Sequence, residues 1–404
     1  MQFNRFPISS DILANLERMG FHKTTDIQYK AIPAILKGED LLAIAQTGTG
    51  KTAAFAIPVI HKVHSNKTSK STYGLKVIVL TPTRELAKQV GSVFAKLSKG
   101  TKASTFALYG GVSQDPQKDM LKSGVDILIT TPGRMFDLIH QGDLDVSNVS
   151  CVVVDEADQM LDLGFANDIK GIKTKIKNHR HQTLFFSATI NPKIKKLAYS
   201  HIKSSAMRIQ ISPEQIVSKN VDHFLVKVEM DNKRHLLTNF LKEQPDAKTI
   251  VFVRTQLRVE RVAKHLAKNQ IDSFMLFGNQ DQEDRMDAID QFNKVNSGVL
   301  IATDLSARGI DFKNVTYVIN YDLPENPENY VHRVGRTGRG TQYGEAISFC
   351  SPEEASKRED IEDFLGREID EMAANTSFLL EGGREALEDM EISDILKMEE
   401  NLFS

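Results

Sequence analysis

Short, uninterrupted apolar runs recur along this chain, and the segments between them carry apolar residues at helical spacing. In the first half the runs stand at 41–45, 76–80, 125–129, 151–154 and 183–186. Helical periods lie at 11–19, 27–36, 53–63, 84–97 and 132–139, the last opening on Pro132 at a first helical position. A strand that is apolar at every position is covered on both faces. The pattern therefore predicts an α/β fold, a mainly parallel sheet flanked by helices on each side. Around 202–220 the period lapses amid Ser204, Ser205, Ser212, Pro213 and Ser218. A second alternation follows, with strands expected at 248–253, 273–276, 299–302, 315–319 and 346–349 and helices at 233–242, 257–268, 284–292 and 354–364. The expectation is two tandem α/β domains, 1–205 and 221–370, joined by a linker at 206–220 and followed by an acidic tail at 371–404. Leu387, Met390, Ile395, Leu396 and Leu402, set among acids, predict a short amphipathic helix in that tail.

Composition narrows the class. No apolar run approaches the roughly 18 residues that a membrane span needs, and MQFNRFPISS lacks the architecture of a signal peptide. The two cysteines, Cys151 and Cys350, each sit inside an apolar run, which reads as buried reduced thiols and a cytoplasmic protein. The net charge of −2 is misleading until divided. Residues 371–404 hold nine acids against Arg384 and Lys397, a net of −7 that leaves +5 on the body. A mildly basic body is compatible with a polyanionic partner.

One stretch carries recognisable chemistry. DLLAIAQTGTGKT, residues 40–52, runs from a strand through a glycine loop into a helical segment. That is the sequence form of a phosphate-binding loop, although Ala45 stands where its first glycine belongs. Gln46, Thr47, Gly48, Thr49 and Gly50 offer backbone N–H groups to an anion, Lys51 reaches the β/γ-phosphates, and Thr52 can ligate magnesium. Downstream, VVVDEAD ends an apolar strand in acids. Asp155 is placed to hold magnesium through water opposite Thr52, and Glu156 to polarise an attacking water.

AQTGTGKT together with DEAD, residues 155–158, resembles the DEAD-box family of ATP-dependent RNA helicases, and the family's other motifs follow in order. PTRELA stands at 82–87, the glycine pair at 110–111, TPGR at 131–134 and SAT at 187–189. VFVRT lies at 251–255, Q-x-x-R at 282–285, ATDLSARGID at 302–311 and YVHRVGRTGR at 330–339. The likeness spans about residues 3–365, and EDIEDFLGREI looks closest to bacterial members. It implies two tandem RecA-like domains, ATP and Mg2+ as cofactors, and single-stranded and duplex RNA as partners.

The resemblance also assigns residues. Gln28 would read adenine through its carboxamide, Phe3 would stack on the base and Asp311 would contact ribose. Arg336 and Arg339, three apart, would act as arginine fingers, while Ser187, Thr189 and His332 would couple hydrolysis to strand separation. RNA contacts fall to Pro82, Thr83, Arg84, Gly110, Gly111, Thr131, Gly133 and Arg134 in the first domain. In the second they fall to Arg254, Thr255, Gln282, Arg285 and Thr303. Glycines, hydroxyls and arginines recognise backbone rather than bases, so little sequence specificity is expected. Two departures stand out: Thr24-Thr25-Asp26 replaces the usual Pro-Thr-Pro, and Phe277-Gly278 replaces His-Gly. Rival readings are an ATP-gated RNA clamp with little unwinding, a translocating DNA helicase and a metabolic P-loop kinase.

Overall fold

The computed structural model describes residues 1–45, 48–67, 74–178, 180–211, 220–278, 280–307, 309–338 and 342–372. The chain forms two compact units. The strands of the first are β1 (Leu41–Ile44), β2 (Val77–Leu80), β3 (Thr105–Leu108), β4 (Ile127–Thr130), β5 (Cys151–Val154), β6 (Gln182–Ser187) and β7 (Met207–Gln210). They lie in the order β3-β4-β2-β5-β6-β1-β7, and every pairing is parallel.

Alternate residues of each strand feed opposite cores, which is why the runs are continuously apolar. Leu41, Ala43, Val77, Val79, Val153 and Phe186 pack under helices Asp26–Lys37, Lys51–Asn66 and Arg84–Leu97. Leu42, Ile78, Leu80, Val152, Val154 and Phe185 face the other way, against Pro132–Gln141, Ala166–Lys175 and Pro192–Tyr199.

The second unit contains β8 (Val221–Lys227), β9 (Lys248–Phe252), β10 (Ser273–Leu276), β11 (Gly298–Ala302), β12 (Tyr317–Asn320), β13 (Gly344–Cys350) and β14 (Asp370–Glu371). Its order is β10-β11-β9-β12-β13-β8-β14, again wholly parallel. With β8 taken as the counterpart of β1, this is strand for strand the order of the first sheet. The tandem RecA-like architecture expected from the sequence is the one observed.

Four strands escape the pattern of apolar runs: β3, β7, β8 and β14. Three lie at sheet edges, where one side is open and the apolar signal halves; β7, for example, buries only Ile209. β8 alternates, with Asp222 and Lys227 exposed between buried neighbours. The expected linker at 206–220 is corrected at its start, because Met207–Gln210 is an edge strand paired to β1. Glu371, expected in the tail, instead pairs beside β8. The amphipathic helix expected at 386–403 lies outside the described residues. Among the described residues no helix is long and apolar enough to cross a membrane.

Candidate nucleotide and RNA sites

Topology gathers the motifs. In the first sheet β5, β6 and β1 are neighbours, so the acidic motif after β5, Ser187 at the end of β6 and the glycine loop after β1 share one carboxyl edge. Ligands of open α/β sheets bind at that edge. Gln46 and Thr47 lie outside the described residues. Gly48 and Gly50 adopt left-handed φ of 84° and 92°, conformations that favour glycine. Gly50 then caps the helix Lys51–Asn66, whose first N–H groups face the loop.

Gln28 is bound into this loop. Its Oε1 accepts from Thr25 N–H (3.0 Å) and its Nε2 donates to the Gly50 carbonyl (3.2 Å). A carboxamide has two donors and two acceptor lone pairs, so one of each remains for an adenine edge. A Cβ on residue 50 would stand 2.4 Å from Gln28 Nε2. Although Thr24-Thr25-Asp26 departs from the family pattern, Thr25 and Gln28 form a capping box that fixes the start of the helix Asp26–Lys37. Phe3 lies in a short 3-10 turn, 4% exposed and packed in the core; its stacking role rests on the resemblance alone.

Lys51 is buried, and its Nζ has no hydrogen-bond partner among the described residues. An ammonium in that state costs free energy unless an anion meets it. Beside it, burial pushes the Asp155 carboxyl up to about 7, partly offset by the charge of Lys51. Glu156 holds a left-handed φ of 48°, its N–H bonded to Asp155 Oδ1 (3.0 Å). A non-glycine residue in that region is strained, as functional positions often are. Among the described residues no group of three or more His, Cys, Asp or Glu could cage a metal. Mg2+ needs no such cage, since it binds through one or two carboxylates plus phosphates and water.

The last acid of the motif does a different job. Asp158 Oδ2 accepts from Ala188 N–H (3.0 Å), Thr189 N–H (2.9 Å) and the Thr189 hydroxyl (3.2 Å). The sequence does not reveal this link between the acidic motif and SAT.

The RNA candidates of the first unit follow β2, β3 and β4, the other half of the same edge. Thr83 caps the helix Arg84–Leu97 by accepting from Leu86 N–H (3.3 Å), and Thr131 is the N-cap residue of Pro132–Gln141. The Arg84 guanidinium lies 3.3 Å from where a Cβ on Gly110 would stand. Arg134 is buried and donates to Gln117 Oε1 (2.6 Å) and the Val112 carbonyl (3.0 Å). It therefore braces the glycine-pair loop, and Gln117 is a member that the motifs do not flag. Pro82 and Gly133 lie at the same edge, and no atom lies within 4 Å of where a Cβ on Gly133 would stand.

In the second unit the candidates follow β9, β10 and β11 in the equivalent half. Arg254 pairs with Glu325 (3.3 Å) and Glu354 (3.4 Å), and Thr255 caps the helix Gln256–Lys268. Arg285 donates to the Ser306 carbonyl (2.9 Å), Thr303 shares a hydroxyl bond with Ser306 (2.8 Å), and Gln282 opens its helix. The helix Pro327–Val334 carries His332 and ends before Arg336, which stands in the following turn, its Nε bonded to the His332 carbonyl (3.0 Å). The helical spacing expected of Arg336 and Arg339 is thus corrected; Gly335 ends the helix, and Arg339 lies outside the described residues. Arg333 is structural. It grips Asp304 (2.5 and 2.8 Å), the Asp322 carbonyl (2.6 Å) and Asn320 (3.2 Å). Asp311 is exposed.

Fold and site together define a phosphate-loop nucleotide-binding protein built on two RecA-like domains. The DEAD/DEAH box helicase family model matches residues 25–197, and the helicase conserved C-terminal domain matches 232–341. The chain belongs to the DEAD-box helicase family. A Bacillus cereus protein named DEAD-box ATP-dependent RNA helicase CshA is 38% identical over 93% of this chain and 70% of its own length. Its Bacillus subtilis namesake is likewise 38% identical, over 93% and 74%. Among solved structures, the DEAD-box helicase Mss116 bound to single-stranded RNA and UDP-BeF superposes with a TM-score of 0.84 at 28% identity, covering 92% of this chain and 79% of that one. Saccharomyces cerevisiae Dbp5 bound to RNA and ADP BeF3 gives 0.83 at 26% identity, covering 93% and 96%.

Proposed function

We propose that this protein is an ATP-dependent RNA helicase that hydrolyses ATP on binding RNA and locally separates short duplexes or remodels RNA–protein complexes. The observation that carries the reading is the unpartnered Lys51 ammonium, buried beside Asp155 and Glu156 at the head of a helix. Lys51 and the loop N–H groups hold the phosphates, and Gln28 selects adenine. Thr52 and Asp155 are the residues that would hold Mg2+, which when bound neutralises charge on the phosphates. Glu156 orients and deprotonates the attacking water, and Arg336 and Arg339 stabilise the transferring phosphoryl group. RNA and ATP favour one closed state of the protein, so each tightens the other's binding. The edge residues named above contact the RNA backbone. Ser187, Thr189 and His332 connect the two events. Cytoplasmic action belongs to the same reading, supported by two buried, unbonded cysteines.

The test is ATPase activity with and without single-stranded RNA, beside Lys51→Ala, together with displacement of a short RNA duplex. RNA should stimulate hydrolysis and Lys51→Ala should abolish it. Hydrolysis indifferent to RNA would sink the proposal, and stimulated hydrolysis without displacement would restore the clamp.

A further inference from the structure

The second unit carries a basic cleft with no part in the sites above. It lies between the helices Lys233–Glu243 and Gln256–Lys268 and has a volume of about 400 Å3. Arg234, Arg258, Arg261, Lys264 and Lys268 line it, against Asp231 as the one lining carboxylate. Arg258 is already committed, donating to Asp322 Oδ1 (2.7 Å) and directed at Met230 Sδ (3.1 Å), so it forms the floor. Arg261, Lys264 and Lys268 are exposed and, among the described residues, take part in no ion pair.

Their spacing is informative. Residues 258, 261, 265 and 268 recur at intervals of three and four, one stripe of the helix about 15 Å long at 1.5 Å per residue. Lys264 stands three residues from Arg261 and four from Lys268, so like charges face one another, which destabilises a helix. An anion would relieve that repulsion. The stripe starts next to Thr255, the N-cap of the same helix, and leads away from the edge that Arg254 and Thr255 occupy. Guanidinium and ammonium groups suit phosphates rather than bases where the lining ring, Tyr321, is buried.

We propose that this cleft binds the phosphate backbone of the RNA strand beyond the nucleotides held at the sheet edge, lengthening the footprint without adding sequence preference. The inference rests on the RNA reading above. It is tested by measuring fluorescence anisotropy of labelled single-stranded RNA against salt, for the full chain and for the triple variant Arg261→Ala, Lys264→Ala, Lys268→Ala, with circular dichroism confirming that the variant is folded. A long strand should bind the variant about tenfold more weakly, with the salt slope shallower by about 2, as expected when three phosphate contacts at ~0.7 each are lost. A short strand that fills only the edge site should bind both proteins alike.

An unchanged slope for the long strand overturns the inference, as does an equal loss for long and short strands. Inorganic tripolyphosphate separates the sources: if the wild type binds one equivalent more of it than the triple variant does while the long-strand slope is unchanged, the cleft serves a free polyphosphate instead. Tighter RNA binding by the variant would mean that the cations hold an acidic segment such as 371–404. A wild type that binds no RNA at all would sink the RNA reading itself, an outcome distinct from these.

Discussion

The carboxylate of Asp158 holds Thr189 twice, through its backbone N–H at 2.9 Å and its hydroxyl at 3.2 Å. The end of the acidic motif is thereby fixed to the turn after β6. Asp158→Ala leaves the N–H groups of Ala188 and Thr189 unpaired as well as the hydroxyl, and should cost about 2–4 kcal/mol of stability in chemical denaturation. Thr189→Val removes only the hydroxyl bond and should cost about 1 kcal/mol. If the turn couples hydrolysis to strand separation, Thr189→Val should lower duplex displacement more than RNA-stimulated ATPase. An equal fall in both would remove Thr189 from that role.

Gly50 and Gln28 should fail to act independently. Gly50→Ala places a Cβ 2.4 Å from Gln28 Nε2 on a backbone at φ 92°, combining a clash with about 1–3 kcal/mol of strain. In a Gln28→Ala background the clash with Nε2 disappears, leaving the strain and a close approach to Thr25 Oγ1 at 3.2 Å. A double-mutant cycle by urea unfolding should therefore return a coupling above about 0.5 kcal/mol. Additive costs would show that the contact carries no energy. Gln28→Ala alone should weaken ATP binding more than GTP binding.

The sequence made the buried strands legible because a wholly covered strand has no polar side to hide it. It left β3, β7 and β14 unread because they bury one residue, one residue and none, and β8 because Asp222 and His223 interrupt it. The loop, the acidic motif and the RNA edge were legible as contiguous words. What stayed hidden were pairings between distant words, such as Asp158 with Thr189, Arg134 with Gln117 and Arg333 with Asp304. No local pattern encodes them, since sheet order alone decides which strand ends meet. Arg333 illustrates the limit: it shares a motif with Arg336, yet one braces the fold and the other is a candidate finger.

Asp155 gives the first unit an unusual response to pH. Burial raises its carboxyl to about 7, whereas an unfolded aspartate titrates near ~3.9. Between those values the folded protein keeps a proton that the unfolded chain has released. Stability from this group is therefore full below about pH 4 and is lost as pH rises through 7. Asp155→Asn cannot ionise, so in the absence of nucleotide it should be more stable than wild type by a few kcal/mol at pH 8 and similar at pH 4. The same variant should lose ATPase activity. Equal stability at pH 8 would contradict the buried charge.

His223 works in the opposite direction in the second unit. Burial lowers its imidazole to about 4, and its Nδ1 lies 2.9 Å from the Tyr330 hydroxyl. The folded state favours the neutral ring, so this contribution is intact above about pH 6.5 and disappears as pH falls towards 4. The loss should reach roughly 3 kcal/mol, from about 2.5 units at 1.36 kcal/mol each. Denaturant midpoints across that range should fall for wild type and flatten for His223→Gln. A variant as acid-sensitive as wild type would assign the effect to other groups.

Arg333 and Arg336 should separate stability from catalysis. Arg333 is 2% exposed and its guanidinium forks onto both oxygens of Asp304 while also reaching Asn320 and the Asp322 carbonyl. Lysine presents a single charge where this site needs a planar fork. Arg333→Lys keeps the charge but loses the fork and the bonds to Asn320 and the Asp322 carbonyl, so it should cost about 2–3 kcal/mol, and any loss of ATPase should follow the loss of folded protein. Arg336 donates from its Nε to the His332 carbonyl. Arg336 is as buried as Arg333, at 2% exposed, so the comparison is made on folded protein: RNA-stimulated ATPase of folded Arg336→Lys should fall by about 10³ or more, the scale of an arginine finger. If folded Arg336→Lys hydrolyses ATP at the wild-type rate, Arg336 is no finger.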